Sequence, residues 1–161
     1  MIKKVFKSSL HLIIICSVFV VSCNKNNSNT DKIDSDINIR MYEELSDNNT
    51  DLLFYCYTDQ QYACCNFGIS HNIKKTSTGF IINFNKINIH DVCLTSPGPA
   101  TCHINFGEIP NGTYNLEIKV KNKKSSGQLI VTGDYYKIVL NKCKKLRFEN
   151  KIVERNSKNI I

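Results

Sequence analysis

The sequence lacks the short motifs that mark the common enzyme classes. It has no Gly-x-Ser-x-Gly elbow, no His-Glu-x-x-His, no P-loop and no Gly-x-Gly-x-x-Gly after a strand. Glu108 and Glu117 fall on predicted strand surfaces, so they do not form a carboxylate pair for acid–base chemistry. An RNP-type nucleic-acid motif is also missing. We therefore expect no enzymatic activity, no cofactor and no nucleic-acid partner.

The sequence also lacks an apolar run long enough for a membrane-spanning helix. Its one apolar segment, residues 10–21, is shorter than the roughly 20 residues that a spanning helix needs, and it stops at the polar residues 24–27. Three lysines among the first seven residues precede it. A positive segment followed by a short apolar run is typical of a signal peptide. We predict that residues 1–22 are removed, which lowers the formal charge from +7 to +4.

The end of the signal peptide carries a more specific motif. Val20, Val21, Ser22 and Cys23 resemble the lipobox of bacterial lipoproteins. The resemblance implies that the Cys23 thiol receives a diacylglyceryl group, that cleavage falls before it, and that the new amino group is acylated. Each buried methylene contributes about 0.8 kcal/mol, so two or three chains anchor a protein durably. Asn24 resembles the residues that direct lipoproteins to the outer membrane.

Cys-x-x-Cys dithiols are absent, although the chain has eight cysteines. Cys16 leaves with the signal peptide and Cys23 is the predicted lipid site. The even remainder indicates disulfide bonds in an oxidising compartment, and the candidates are Cys56, Cys64, Cys65, Cys93, Cys102 and Cys143. Six thiols allow 15 pairings. Adjacent Cys64 and Cys65 face opposite sides of an extended strand, so we expect them to have different partners.

One disulfide pairing can be predicted from a turn. Cys93 and Cys102 bracket the turn residues 97–99, and a hairpin there would bring the two cysteines together. We predict a Cys93–Cys102 bond, which leaves the other four cysteines to pair among themselves. The alternative is a metal- or thiol-handling site, because His and Cys are metal ligands and His90 and His103 flank the same loop.

Alternation of apolar and polar residues dominates the second part of the chain. It is clearest over residues 112–120, where Tyr114, Leu116, Ile118 and Val120 share one face, as in a half-buried antiparallel strand. Less regular strands are predicted at 52–58, 62–69, 80–89, 101–106, 128–132, 135–140 and 145–149. Turn chemistry marks residues 96–99, 110–112, 125–127 and 133–134. A phase shift near Asn85 and Lys86 predicts a bulge or turn.

The residues Pro110, Asn111, Gly112 and Tyr114 resemble the corner before strand F of immunoglobulin-like (Ig-like) domains. In those domains a tyrosine near the start of the strand bonds back across the corner, and Tyr114 is the matching residue. Leu116 stands where antibody domains have a cysteine, and the chain contains no tryptophan. Both departures exclude the antibody subtype and leave the wider group of Ig-like β-sandwiches. Taken with the lipobox, the chain is similar to small bacterial envelope lipoproteins, a group that supplies no activity to transfer.

The sequence therefore predicts an all-β protein, a small antiparallel Ig-like β-sandwich behind a signal peptide and tether. Its expected segments are 1–22 (signal peptide), 23–50 (lipidated Cys23 and a flexible linker with room for a short helix at 40–45), 51–155 (the domain) and 156–161 (a tail). We expect a non-enzymatic interaction or structural module, held at the cell envelope by its lipid anchor, with an envelope protein or a glycan as partner.

Overall fold

A computed structural model describes residues 32–45 and 50–155. These residues contain strands and loops but no helix, which confirms the predicted all-β class. The strands are β1 (Ile37–Leu45), β2 (Thr50–Tyr62), β3 (Gly68–Thr76), β4 (Gly79–Asn88), β5 (Gly98–Asn105), β6 (Gly112–Val120), β7 (Lys123–Val131), β8 (Tyr135–Lys142), β9 (Leu146–Phe148) and β10 (Ile152–Glu154). Cys16, Cys23 and the segments 1–22 and 156–161 lie outside the described residues.

Residues 32–45 and 50–155 contain no helix with the length and hydrophobicity that a membrane span requires.

The ten strands form one curled mixed sheet, a half-barrel, in the order β10-β8-β7-β6-β4-β3-β5-β2-β1-β9. Three neighbouring pairs are parallel: β1 with β9, β3 with β5, and β4 with β6. Gly79 permits the last of these pairs, because a Cβ at this position would lie 1.9 Å from the backbone oxygen of Asn115. The antiparallel Ig-like sandwich is therefore not confirmed, since the sheet mixes parallel and antiparallel pairs.

The expected linker contains the first strand of the sheet. Residues Ile37–Leu45 form β1, which pairs antiparallel with β2 and parallel with β9. Ile37, Ile39 and Met41 are at most 1 % exposed, and Ile33 is equally buried. The prediction of a flexible linker reaching residue 50, with room for a helix at 40–45, is wrong from Ile33 onward. The segment has few apolar residues, but Ile37, Ile39 and Met41 alternate with polar residues and face the core.

An aromatic chain crosses the interior of the half-barrel. Phe54 on β2 lies 5.9 Å from Phe148 at the end of β9 and 4.6 Å from Phe106, measured between ring centroids. Phe106 follows β5 and lies 5.2 Å from Phe80 on β4, which in turn lies 5.7 Å from Tyr114 on β6. Aromatic pairs at about 4.5 to 7 Å attract one another beyond the gain from burial. These aromatic contacts therefore connect β2 to β4, which are not neighbours in the sheet.

A buried ion pair joins β1, the second strand from one edge of the sheet, to the residue that follows β10, the strand at the other edge. Glu43 on β1 lies 3.8 Å from Arg155, which follows β10, and their side chains are only 2 % and 17 % exposed. Arg155 also donates a hydrogen bond to the carbonyl oxygen of Thr132 at 2.7 Å, and its guanidinium lies 5.0 Å from the ring centroid of the fully buried Tyr136. These contacts bring β1 and β10 together although eight places separate them in the sheet order.

Strand β6 and its corner follow the sequence prediction. Leu116, Ile118 and Val120 are buried on one side of β6. The hydroxyl of Tyr114 donates a hydrogen bond to the carbonyl oxygen of Pro110 at 2.8 Å, as expected for a tyrosine corner. The predicted irregularity near Asn85 is also confirmed, because the register between β3 and β4 skips Asn85.

Two local predictions are wrong. The expected strand 62–69 contains the end of β2, a turn and the start of β3, because Asn66 bonds the loop before β5 instead of a sheet neighbour. The expected turn 125–127 lies inside β7, and the turn falls at Lys121, which has a φ of 53°. Gly127 is required by close packing, since a Cβ there would lie 2.2 Å from the carbonyl oxygen of Val139.

The tyrosine corner can be tested by removing one oxygen atom. Tyr114→Phe should lower the free energy of unfolding by about 0.5 to 1 kcal/mol, because the Pro110 carbonyl loses its donor at a partly exposed site. Leu116→Ala should cost more, about 2 to 5 kcal/mol, because it leaves a cavity in the core. Chemical denaturation measures both values. An unchanged midpoint for Tyr114→Phe would mean that the corner bond does not stabilise the fold.

The closure of the sheet can be tested at its ion pair. Glu43→Gln should lower the free energy of unfolding by about 3 kcal/mol, because it leaves the buried Arg155 charge without its partner. Lys145→Gln is a matched control, since the Lys145–Asp36 pair is 42 % and 41 % exposed and should contribute less than about 1 kcal/mol. Equal effects of the two variants would contradict a structural role for the buried pair.

Candidate functional site

Six side chains meet on the outer face of β1, β2 and β5, and we call this set the outer patch. Its members are Arg40, Tyr42, Tyr55, Tyr57, His103 and Glu149. The strand register places Arg40, Tyr55 and His103 in one row across the three strands. Directly opposite residues of antiparallel strands point to the same face, so this row is a continuous surface.

The rings of the outer patch contact one another. Tyr55 lies between His103 and Tyr57, with ring centroids 5.0 Å and 5.7 Å away. The hydroxyl of Tyr42 is 3.0 Å from Nδ1 of His103. Leu53 lies in the same face and is only 6 % exposed, so it forms an apolar base beside the rings. The result is a shallow aromatic surface whose polar atoms stay accessible.

Glu149 holds the edge of the outer patch. It accepts a hydrogen bond from the Tyr57 hydroxyl, and from Nε of Arg40 at 2.5 Å. These hydrogen bonds, with that from Tyr57 the larger, lower the pKa of Glu149. The hydrogen bond with Glu149 raises the pKa of Tyr57. Glu149 is therefore ionised and Tyr57 protonated at neutral pH, and the exposed Arg40–Glu149 pair orients side chains rather than stabilising the fold.

Among the described residues, one disulfide bond is present, and it joins residues other than those predicted. Cys93 is bonded to Cys64, with 5.3 Å between their Cα atoms. The predicted Cys93–Cys102 bond is wrong, because β5 does not form a hairpin with β4. Instead, β5 pairs with β2 and β3, and this places Cys102 opposite Cys56. Asn66 helps to hold the loop that carries Cys93, through its hydrogen bond to the carbonyl oxygen of Val92 at 2.7 Å.

Cys56, Cys102 and His71 form a cluster on the inner face of the sheet. Cys56 is fully buried and Cys102 is half-buried, and the two residues lie directly opposite each other on β2 and β5. His71 on β3 is the third member of the cluster, and it interacts electrostatically with Cys102. The sequence indicated only a loop for His71, but it lies in a strand, two residues after the buried Ile69.

The two thiols of the cluster have different pKa values. Interaction with Cys56, followed by interaction with His71 and then with the charge of His103, lowers the pKa of Cys102 to about 6. Burial raises the pKa of Cys56 well above its ordinary value. The hydrogen bond with Cys102 raises the pKa of His71. At neutral pH, Cys102 is therefore the thiolate and Cys56 the thiol.

The four residues of the alternative metal or thiol site are not brought together. Cys93 is bonded to Cys64, and His90 lies in the exposed loop before β5. Cys102 and His103 are neighbours in β5 and face opposite sides of the sheet. In residues 32–45 and 50–155, no three His, Cys, Asp or Glu side chains are grouped closely enough to hold a metal ion.

The two remaining disulfide candidates stand apart. Cys65 is exposed and lies beside Gly98. Cys143 is exposed as well, and its thiol donates to the carbonyl oxygen of Leu146 at 2.7 Å. Cys64 is bonded to Cys93 and Cys65 is free, so the prediction that both form disulfide bonds with different partners is wrong for Cys65.

Sequence reasoning missed the outer patch for a specific reason. Arg40 and Tyr42 come from the segment expected to be a linker, and Glu149 comes from the far end of the chain. One signal was available, because Tyr55 and Tyr57 stand two residues apart and so share one face of a predicted strand.

Comparisons with known proteins identify no relative, since no protein-family model, no curated protein and no solved structure matches the chain significantly.

Proposed function

We propose that this chain is a lipid-anchored protein of the bacterial cell envelope that binds a glycan through the outer patch and has no enzymatic activity. The lipobox-like residues ending at Cys23 support the anchor, and Asn24 supports the outer membrane as its location. The row of Arg40, Tyr55 and His103 is the observation that carries the binding role.

The chemistry of the outer patch suits a sugar. A sugar ring presents C–H groups on its faces, which pack against aromatic rings, and hydroxyl groups at its edge, which form hydrogen bonds. Tyr55 supplies a ring near the middle of the patch, and Arg40, Tyr42 and Glu149 supply donors and acceptors around it. Tyrosine suits this role because its ring is apolar and its hydroxyl is polar.

A protein partner fits this surface less well. Protein–protein interfaces are enriched in tyrosine and arginine as well, but there these residues adjoin a fully buried core that is more apolar than the rest of the surface. The large, strongly exposed aliphatic side chains of the described residues lie outside the outer patch: Leu45, Ile73, Ile89, Val92, Leu94, Val139 and Ile152. The outer patch is aromatic and polar, and we therefore favour a glycan over an envelope protein.

We also propose a distant relation to Ig-like β-sandwiches. The hydrogen bond from Tyr114 to Pro110 supports it. A thiol-handling role is the second candidate function, and the contact between Cys102 and His71 favours it.

The anchor is tested by replacing the predicted lipid site. Cys23→Ala should give an unprocessed or soluble protein without acyl chains in the native host, because no thiol remains to receive the diacylglyceryl group. Cys16→Ala is the matched control and should be processed normally, since Cys16 leaves with the signal peptide. Mass spectrometry of the mature N-terminus makes the measurement, and an unmodified Cys23 would refute the proposal.

Glycan binding is tested with peptidoglycan and lipopolysaccharide purified from the host. Tyr55→Ala should weaken binding to one of them roughly tenfold, the effect expected of a central aromatic contact. Tyr135→Ala is the control and should leave binding unchanged, because Tyr135 lies on β8, far from β2 in the sheet. Co-sedimentation and affinity electrophoresis measure the two ligands. Binding that survives in both Tyr55→Ala and His103→Ala would contradict the proposal.

A further inference from the structure

Cys56 and Cys102 are placed to form a second disulfide bond. They lie directly opposite each other on the antiparallel strands β2 and β5. Residues in such positions have Cα atoms about 4.5 to 5.5 Å apart, and disulfide bonds bridge Cα atoms about 4.4 to 6.8 Å apart. Both side chains face the interior of the sheet, and each thiol alters the pKa of the other. Bond formation therefore needs a small rotation of side chains and no movement of the strands.

His71 completes this arrangement from a third strand. It lies on β3 opposite Phe84, so its side chain shares the inner face with Cys102. Its Nδ1 atom is 3.3 Å from the carbonyl oxygen of Ile69, to which it donates, and this leaves Nε2 to take up the proton of Cys102. A histidine beside a cysteine stabilises the thiolate, which is the nucleophilic form. Cys56 has no such partner and is more deeply buried.

We propose that Cys56 and Cys102 are a thiol–disulfide exchange pair, in which Cys102 attacks a small disulfide, Cys56 resolves the product, and His71 is the positioning residue for Cys102. The proposal concerns the inner face of the sheet and stands or falls independently of glycan binding by the outer patch.

The reaction with oxidised glutathione has two steps. The Cys102 thiolate attacks one sulfur atom, the glutathione S–S bond breaks, and one glutathione leaves as a thiolate. Cys56 then gives up its proton and attacks the sulfur of Cys102, which releases the second glutathione and forms the Cys56–Cys102 bond. Two electrons pass from the protein to glutathione disulfide, which becomes two thiols. Their protons come from Cys56 and from the imidazolium of His71.

The exchange pair lies directly behind the outer patch. Cys56 follows Tyr55 on β2, and Cys102 precedes His103 on β5, so the two rows are neighbours in the same pair of strands. A disulfide on the inner face holds β2 and β5 together at this point. It therefore also limits the separation of Tyr55 and His103 on the outer face, which gives the redox state a route to the binding surface.

The exchange is tested on the full chain in detergent, equilibrated with defined ratios of reduced and oxidised glutathione. Non-reducing peptide mapping by mass spectrometry should show a Cys56–Cys102 link whose fraction rises as the buffer becomes more oxidising. Either of two results would overturn the proposal: both thiols free at every ratio, or a link that no ratio changes. The mapping needs no variant, so it does not depend on how well a substituted protein folds.

Substitutions show which sulfur atom attacks the disulfide and which one resolves the product. Cys56→Ser should trap glutathione on Cys102, because the resolving thiol is gone, whereas Cys102→Ser should leave Cys56 unmodified. Cys143→Ser and Cys65→Ser are controls that should leave the Cys56–Cys102 link unchanged, since both residues lie outside the cluster. Glutathione trapped on Cys56 in Cys102→Ser, with none on Cys102 in Cys56→Ser, would reverse the roles and refute the assignment.

The pH profile separates a positioning role of His71 from a structural one. In the Cys56→Ser protein, where a serine hydroxyl replaces the Cys56 thiol as a hydrogen-bond donor and His71 and His103 remain, modification of Cys102 should reach its plateau below the pH at which an ordinary thiol does. Cys56, His71 and His103 are the titratable groups that set the pKa of Cys102. Adding His71→Asn should move the profile to higher pH and slow the reaction about threefold at pH 6.5, because a rise of one unit from a pKa of about 6 lowers the thiolate fraction about threefold at that pH. A loss of rate without a shifted profile would indicate a merely structural role and contradict the assignment.

Discussion

A single sheet can bury one of its faces only by curling, because it has no second layer to pack against. In this protein the curl is maintained by contacts between strands that are distant in the sheet. Phe106 lies between Phe54 and Phe80 and fills the interior. At the open side, Glu43 meets Arg155 in a nearly dry environment, where an unpaired charge is expensive. The core and the sheet edges therefore depend on one another, and β1 belongs to the domain as fully as the central strands do.

The pairing of β2 with β5 explains why two different chemistries share one small region. Successive residues of a strand point to opposite faces. Tyr55 and His103 therefore point outward as a row of the outer patch, while their neighbours Cys56 and Cys102 point inward as the thiol pair. The environments also differ, since the rings on the outer face are partly exposed to solvent and the thiols on the inner face are largely buried. One register thus fixes the spacing of both pairs, and a covalent change in one pair constrains the other.

Much of the local structure could be predicted from the sequence. Three features could be predicted because they depend on contacts close in sequence or on a strict period of two. They are the alternation in residues 112–120, the corner at Tyr114 and the irregularity at Asn85. The outer patch and the thiol pair could not be predicted. Each joins residues far apart along the chain, as in the pairing of Cys56 with Cys102, and strand order cannot be read from a pattern that every strand shares.

The sequence by itself determined the all-β class, the inward faces of the clearest strands and a supply of cysteines, because side-chain alternation and composition are local properties. Only the tertiary structure decided which strands are neighbours. The polar segment of β1 belongs to the sheet because the backbone of β1 pairs with β2 and β9 and because Ile37 and Ile39 are buried in the core. The tertiary structure also paired Cys93 with Cys64, because β5 lies beside β2 and β3 instead of folding back on β4. Long-range pairing is a property of the whole sheet, and it decided both candidate sites.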